Sequence, residues 1–204
     1  MDNLTLQRRS PLADLALDVH EGTVTGSRQV RLVETPHLTM ISVRVDPDSP
    51  AAAAVEGVLG AVLPRSCGQV TADGYHSVLW LGPDEWLIVS QVTPDTLLEA
   101  LTEAVGDAHA AVVDVSANRT VLELSGPAAR SVLEKGCPVD LHPRAFGQDT
   151  AVTTTLARVP VLLWQTGPDT YRLLPRSSFA EYVARWLLDA MQEFASDLGD
   201  AGGS

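Results

Sequence analysis

Cysteine and long apolar segments are both scarce in this sequence. Its two cysteines, Cys67 and Cys137, are 70 residues apart and follow no metal-binding pattern. A single disulfide between them stays open, but so little cysteine is typical of a reduced protein, and we expect a cytoplasmic one. No apolar run approaches the roughly 18 residues that a spanning helix needs, and no signal-type segment follows Arg8 and Arg9. The sequence therefore predicts no membrane partner.

Positive charge is also scarce. The 204 residues include 14 Lys or Arg and 26 Asp or Glu, which gives a formal net charge of −12. Lys135 is the single lysine. Because nucleic acids and anionic membranes are bound by basic surfaces, this composition excludes them as main partners. The 45% hydrophobic content is sufficient for the core of one large domain or of two small fused ones.

The common catalytic and cofactor motifs are missing. The sequence has no Gly-x-Gly-x-x-Gly, no phosphate-binding Gly-x4-Gly-Lys-Ser/Thr, no Gly-x-Ser-x-Gly and no His-Glu-x-x-His. Its five histidines are scattered, without a cysteine or a carboxylate at metal-ligand spacing. We therefore predict no catalytic, cofactor-binding or metal-binding residue in this chain.

A few weaker alternatives stay open, each beside a plainer interpretation. A helix start at residues 125–127 could bind an anion or be only a capping turn. Asp114 could bind a ligand or cap a turn, and Cys137 could be a nucleophile or an inert buried thiol. Two further possible sites are an acid–base pair of Asp107 and His109, and a zinc site of Cys67, His76 and Cys137.

Predicted strands and helices alternate from residue 28 to residue 195. The order strand-strand-helix-strand-strand-helix occurs twice, over about 28–110 and 111–195. Gly82-Pro83-Asp84 and Gly167-Pro168-Asp169 lie at corresponding hairpins, 85 residues apart. Each half alone would bury only a thin core. The predicted fold class is therefore α+β: two similar halves with antiparallel sheets, each with helices on one face, packed as a single body over 28–195.

Local signals set several element boundaries. Hairpins are predicted across residues 35–37 and 116–119, and residues 68–73 are predicted to be a loop. Ser49 and Thr93 are each followed by proline, which predicts two capped helix starts. A last helix is predicted to begin at Ser178 with Glu181 completing a capping box.

The two ends of the chain differ in character from this body. We interpret residues 1–27 as an N-terminal arm that contacts partner subunits, and residues 196–204 as a flexible acidic tail.

Trp80 and Trp86 flank the first Gly-Pro-Asp turn, and Trp164 is assigned the comparable place in the second hairpin. Indoles suit interfaces as well as cores, so both roles stay open. The predicted partner contacts are Pro11, Leu12, Trp80, Trp86 and Trp164.

Several segments together resemble a known family. The segment from Trp80 to Leu87 is similar to a characteristic hairpin of the gamma subunits of heterotetrameric sarcosine oxidases. The resemblance covers residues 9–195, and the segments that carry it, besides that hairpin, are 9–12, 114–116, 119–120, 125–130, 135–141, 171–173 and 176–180.

This resemblance implies a fold similar to the folate-binding region of glycine-cleavage aminomethyltransferases. It also implies a bacterial cytoplasmic complex of alpha, beta, gamma and delta subunits that demethylates sarcosine oxidatively to glycine. Hydrogen peroxide is formed, and the methyl carbon leaves as formaldehyde or, with tetrahydrofolate, as 5,10-methylenetetrahydrofolate. FAD, FMN, NAD and zinc are implied on the other subunits, with no cofactor in this chain.

The sequence thus predicts a non-catalytic structural subunit of such an oxidase, with the alpha, beta and delta subunits as its partners. One alternative is a stand-alone tetrahydrofolate-binding protein of the aminomethyltransferase type. Another is the same scaffold subunit in a related amine or imino-acid oxidase. Tetrahydrofolate titration separates the first alternative from the main prediction.

Overall fold

The computed structural model describes residues 9–15, 17, 23–25 and 28–195; the predicted tail and much of the predicted arm lie outside these residues. Four helices are described: α1 (Pro50–Leu59), α2 (Pro94–Val105), α3 (Ala129–Glu134) and α4 (Ala180–Met191). The strands are β1 (Thr23–Val24), β2 (Val30–Glu34), β3 (Thr39–Val45), β4 (Gly68–Asp73), β5 (His76–Gly82), β6 (Glu85–Ser90), β7 (Ala110–Asp114), β8 (Leu122–Ser125), β9 (Thr150–Leu156), β10 (Val159–Gly167) and β11 (Thr170–Pro175).

All strand pairs are antiparallel and form one continuous series, β1-β2-β8-β11-β10-β9-β4-β5-β6-β3-β7. A short β4–β9 pairing divides this series into two sheets. We name β4, β5, β6, β3 and β7 the first sheet, and β1, β2, β8, β11, β10 and β9 the second sheet. The predicted α+β class with antiparallel sheets is confirmed.

Three apolar clusters hold the layers together. One cluster packs α1 and α2 on the outer face of the first sheet, and a second packs α3 and α4 on the outer face of the second sheet. The third lies between the inner faces of the two sheets. Side chains along β10 alternate between two of these clusters. Val161 and Leu163 face the helices, whereas Leu162 and Trp164 face the other sheet. Both faces of each sheet are therefore apolar, which explains the high aliphatic content of the strands.

Two of the predicted hairpins are wrong, because their strands belong to different sheets. β2 pairs with β8 in the second sheet, whereas β3 pairs with β6 and β7 in the first. The connection 35–38 therefore crosses from the second sheet to the first, and the connection 115–121 crosses back. Each half of the sequence donates one strand, β2 or β7, to the sheet built mainly by the other half. Local turn chemistry resembles that of a hairpin in both places, but β2 buries Val30 and Leu32 in the cluster beneath α3 and α4, whereas β3 buries Ile41 and Val43 in the cluster beneath α1 and α2.

The first half has one more strand than predicted, because residues 68–73, expected to be a loop, form β4. In the second half the segment 153–163, predicted to contain one or two strands, spans parts of β9 and β10. β4 is largely polar and has no fully buried residue, so it lacks the apolar pattern that identifies a strand. It is held by pairing with β5 on one side and β9 on the other.

Two helix starts, after Ser49 and Thr93, agree with the sequence, and the third differs. Ser49 caps α1, its hydroxyl accepting from the Ala52 N–H at 3.2 Å. Thr93 precedes α2, but its hydroxyl pairs with the Thr96 hydroxyl at 2.8 Å instead of a backbone N–H. α4 begins at Ala180 after a 3-10 turn over Ser177–Phe179, so the predicted capping box is not formed.

Candidate functional site

The two Gly-Pro-Asp hairpins are equivalent, but their tryptophans are not. Trp80 lies opposite Trp86 in the first hairpin, and Gln165 lies opposite Tyr171 in the second, with a bulge following each pair. An offset of 85 residues therefore aligns Trp80 with Gln165 and Trp86 with Tyr171. Trp164 lies one residue before the position equivalent to Trp80. A shift of one residue along a strand places a side chain on the opposite face of the sheet. Trp164 accordingly faces the cluster between the sheets, which corrects its assignment as the counterpart of Trp80.

Most of the predicted partner contacts are buried by this chain itself. Trp86 is 0% exposed and its Nε1–H donates to the Pro64 carbonyl at 2.8 Å. Trp164 is 5% exposed, with the Arg172 guanidinium 5.4 Å from its ring. These two side chains belong to the core and leave no surface for a partner. Trp80 is half-buried, and its buried Nε1–H has no acceptor among the described residues.

The described part of the N-terminal arm packs on the body through Ser10 and Leu12. The Ser10 hydroxyl donates to the Glu34 carboxylate at the end of β2. Thr120 Oγ1 donates to the same carboxylate at 2.6 Å. Leu12 is 1% exposed and enters the cluster beneath α3 and α4, whereas Pro11 stays exposed. Of the two arm residues predicted to contact partners, only Pro11 therefore has an accessible side chain.

The two sheet crossovers meet beside this arm. The Thr35 N–H donates to the Val121 carbonyl at 2.8 Å, and the Val115 N–H donates to the Met40 carbonyl at 2.8 Å. The Met40 N–H donates to Ser116 Oγ at 3.0 Å. These bonds fix the two crossovers against each other. His37 takes a left-handed conformation with φ of 65°, which turns the first crossover sharply.

A cavity of about 360 Å³ opens between the crossovers and the arm. This volume is at the lower end of the range for small-molecule sites, about 300–1,000 Å³. Its walls combine apolar and polar groups from four segments, and include Pro11, Leu38, Asp114, Ser116, Arg119 and Ser177. This cavity is the candidate functional site of the chain.

Arg119 is the notable charge in that cavity. Its side chain is half-buried, and Nη1–H donates to the Leu174 carbonyl at 2.9 Å. Arg176 lies opposite it in an isolated antiparallel bridge. Burial, and then the charge of Arg176, lowers the pKa of the Arg119 guanidinium. None of the ion pairs within the described residues includes Arg119 or Arg176.

Asp114, a candidate ligand in the sequence, caps a turn at the rim of the cavity. Its carboxylate accepts from the Ser116 N–H at 2.9 Å and from the Ser116 hydroxyl. This turn also positions the Ser116 hydroxyl oxygen, which accepts the Met40 N–H. These contacts agree with the interpretation of Asp114 as a turn cap.

The helix start at residues 125–127 is a tightly packed turn. The Gly126 N–H donates to the Asp169 carbonyl at 2.9 Å, and the Ala128 N–H donates to the Gln29 carbonyl at 3.3 Å. Gly126 has φ of +115°, and a Cβ there would lie 2.6 Å from the Gln29 oxygen. Backbone carbonyls thus occupy the N–H groups that an anion would need, and the capping-turn interpretation describes this segment.

The remaining candidates from the sequence are not brought together. Asp107 and His109 lie in an exposed connection. Cys67 is exposed and Cys137 is buried, and both are free thiols. Among the described residues, no group of three or more His, Cys, Asp or Glu side chains could hold a metal ion. The zinc and disulfide alternatives therefore have no support in this structure.

Sequence reasoning did not find the cavity. Its walls belong to connections that look like ordinary hairpin turns, and their convergence depends on the exchange of β2 and β7 between the sheets. Arg119 and Ser116 stand out in the sequence only through the family resemblance.

The arrangement of these elements defines a fold class. An aminomethyltransferase T of the glycine cleavage system from Bartonella henselae superposes with a TM-score of 0.60, over 87% of this chain and 56% of that one. At 14% identity this likeness concerns the fold alone. The chain thus has the doubled antiparallel α+β fold of that class.

The family is shown by closer relatives. Residues 44–193 match the sarcosine oxidase, gamma subunit family. A sarcosine oxidase subunit gamma from Corynebacterium sp. (strain U-96) is 47% identical over 197 residues, 96% of each chain, and one from Arthrobacter sp. is 48% identical over 194 residues, 94% of each. A chain of the heterotetrameric sarcosine oxidase from Corynebacterium sp. U-96 superposes with a TM-score of 0.89 at 48% identity, over 93% of this chain and 97% of that one. The chain belongs to the sarcosine oxidase gamma subunit family, as the sequence resemblance indicated.

No helix within the described residues combines the length and apolar character needed to cross a membrane.

Proposed function

We propose that this chain is the gamma subunit of a heterotetrameric sarcosine oxidase and acts there as a structural, non-catalytic component. The observation that carries the proposal is the near-complete match, in both sequence and fold, to a chain of such an oxidase. In this proposal alpha, beta and delta subunits are the partners, and the complex demethylates sarcosine oxidatively to glycine. Hydrogen peroxide is the reduced product of oxygen, and the methyl carbon leaves as formaldehyde or as 5,10-methylenetetrahydrofolate.

The cofactors are proposed to reside on the other subunits. The described residues offer no cluster of metal ligands, so they do not fit a zinc ion. The sequence likewise has no glycine-rich dinucleotide fingerprint. FAD, FMN, NAD and zinc would accordingly be held by the partners, and this chain would contribute surface and rigidity.

Two accessible features support a role at subunit interfaces. Trp80 offers part of a large ring beside an exposed Pro83-Asp84 turn. Large aromatic rings of this kind are enriched at protein interfaces. Pro11 is exposed next to the anchored Leu12, so a partner that contacts the arm would meet a fixed segment.

Co-expression tests the proposal. The full chain should co-purify at one copy per complex with co-expressed large flavoprotein subunits of the oxidase, and the purified chain by itself should carry no flavin absorbance. Sarcosine-dependent peroxide formation should require the assembled complex. Flavin bound by the chain alone, or oxidase activity without partners, would contradict the structural role.

Substitution of Trp80 tests the interface. Trp80→Ala should weaken capture of the partner subunits about tenfold or more if the ring is an interface anchor. Tyr75→Ala is a matched control, since Tyr75 is a large aromatic side chain that is 68% exposed in the turn before the same hairpin. Equal capture by wild type and the Trp80 variant would remove Trp80 from the interface without affecting the family assignment.

A tetrahydrofolate titration of the isolated chain tests the stand-alone alternative. Binding at submillimolar concentration would favour a folate-binding protein, and the structural role would then be incomplete. The fold likeness to an aminomethyltransferase carries no ligand residue over to this chain, so we expect no such binding.

A further inference from the structure

Arg119 brings more hydrogen-bond donors to the crossover cavity than the chain uses. A guanidinium has five N–H donors and keeps its positive charge at neutral pH. Within the described residues the Arg119 side chain makes one hydrogen bond, from Nη1 to the Leu174 carbonyl. Several donors of a half-buried cation therefore remain for a group that enters the cavity, and leaving such donors unpaired is costly.

Most of the other polar groups that line the cavity already have partners. Ser10 and Thr120 donate to Glu34, Ser116 donates to Asp114, and Ser177 donates to the Ala117 carbonyl. Arg9, the second cation in the wall, forms an ion pair with Asp14. Arg119 is thus the one cationic group of the described wall without an anionic partner.

We propose that the cavity between the two crossovers binds a carboxylate group, which the Arg119 guanidinium holds through paired N–H···O hydrogen bonds. The planar guanidinium matches a carboxylate in geometry and can bond both of its oxygens. One uncommitted cation balances a single negative charge, and the Asp114 carboxylate in the wall disfavours a dianion such as phosphate. The apolar wall at Pro11, Pro36 and Leu38 suits a carboxylate with a short carbon body.

The carboxylate could come from a small metabolite or from a partner subunit's acidic side chain or C-terminus. These sources share the chemistry of recognition and differ in what happens on assembly. A small acid would still enter the cavity in the assembled complex, whereas a partner's carboxylate would occupy it.

Trifluoroacetate, observed by 19F NMR, is a suitable probe because its line broadening can be measured for the chain and for the whole complex. We expect saturable broadening with trifluoroacetate and none with neutral trifluoroacetamide. Arg119→Gln should weaken the binding about tenfold or more, the range expected for a charge-assisted pair. Arg65→Gln is the matched control, since it removes one equal charge from an exposed ion pair elsewhere and should leave the binding unchanged.

A second variant guards against a folding effect of Arg119→Gln. Ala117→Trp places a large side chain at the cavity wall while the exposed Ala117 backbone keeps its bond to Ser177. It should also abolish the broadening, with an unchanged circular dichroism spectrum. Persistent broadening in both variants, or no saturable broadening of trifluoroacetate in wild type, would overturn the proposal.

The same measurement on the assembled complex distinguishes the sources. Broadening that survives assembly indicates a free carboxylate ligand. Broadening that disappears on assembly, together with partner capture weakened by Arg119→Gln and not by Arg65→Gln, indicates a partner's carboxylate. The broadening could also disappear on assembly while Arg119→Gln leaves partner capture unchanged. That result would contradict a partner's carboxylate as the ligand, and it would also contradict any carboxylate bound to Arg119 in the complex.

Discussion

At the scale of single residues, Trp86 shows how one side chain serves both packing and hydrogen bonding. Its ring is fully buried beneath α1 and α2, and its indole N–H satisfies the Pro64 carbonyl in the connection before β4. Trp80, directly opposite in the hairpin, has a buried N–H without an acceptor among the described residues. Two neighbouring tryptophans of one motif therefore have different energetic roles, which their shared sequence context does not reveal.

Trp86→Phe should destabilise the chain by about 2 kcal/mol, because it leaves a small cavity and a buried carbonyl without a donor. Trp80→Phe should change the free energy of unfolding by less than about 0.5 kcal/mol, since it removes a donor that had no acceptor within the described chain. Urea unfolding followed by circular dichroism measures both values. Equal destabilisation by the two substitutions would show that the Pro64 bond contributes little.

His76 gives the chain a pH-dependent stability. Burial lowers the pKa of His76 from its ordinary value of 6.5, while the Asp73 charge opposes the shift by a smaller amount. Its Nδ1 is buried and has no hydrogen-bond partner among the described residues. Because the folded chain disfavours the protonated ring, the unfolded chain binds more protons between the two pKa values. This contribution to stability is present above pH 6.5 and is lost as the pH falls toward the folded-state pKa.

The unfolding free energy of wild type should accordingly decrease between pH 7.5 and pH 5.5. His76→Gln should decrease less over the same interval, since glutamine does not titrate. His109→Gln is the matched control, because His109 lies in an exposed connection and its replacement should leave the pH dependence as in wild type. If wild type and His76→Gln show the same slope, His76 does not carry the effect.

At the scale of elements, α1 and α2 differ in the way their N-termini are capped. Both begin with a hydroxyl residue followed by proline, and the same start is predicted for each from sequence. In the structure only the Ser49 hydroxyl accepts a backbone N–H, whereas the Thr93 hydroxyl bonds the Thr96 side chain. The capping pattern therefore identifies the helix start but does not determine which hydrogen bond the cap makes.

Ser49→Ala should reduce the unfolding free energy by about 1 kcal/mol, the usual value of a serine cap. Thr93→Ala should cost only a few tenths of a kcal/mol, because no backbone donor loses its partner. Chemical denaturation of the two variants under identical conditions makes the comparison. A larger loss for Thr93→Ala than for Ser49→Ala would contradict these cap assignments.

Much of the element order could be predicted from sequence, because the apolar runs of β3, β6 and β10 and the stripe on α4 are local signals. β4 could not be predicted, since a polar strand held between two neighbours has no such signal. The candidate cavity could not be predicted either, because it requires the contact between Thr35 and Val121, which are far apart in sequence. Its residues depend on pairing between the halves, and pairing is a property of the assembled fold.

At the scale of the whole molecule, the exchange of strands makes the two halves interdependent. β2 of the first half completes the second sheet beside β8, and β7 of the second half completes the first sheet beside β3. The cluster between the sheets adds residues from both halves, including Met40, Leu79, Leu162 and Trp164. A half chain would lose its partner strand and expose the inner face of its sheet. Small domains of this size have little stability to spare for such a loss.

Fragments 28–110 and 111–195 should therefore each fail to fold when expressed alone. When mixed in equal amounts, they should regain a cooperative unfolding transition, since the exchanged strands and the cluster between the sheets can re-form. Dispersed amide resonances in the mixture, absent from each fragment, would give the structural readout. Cooperative folding of either 28–110 or 111–195 by itself would show that the halves are autonomous and that strand exchange is not required for stability.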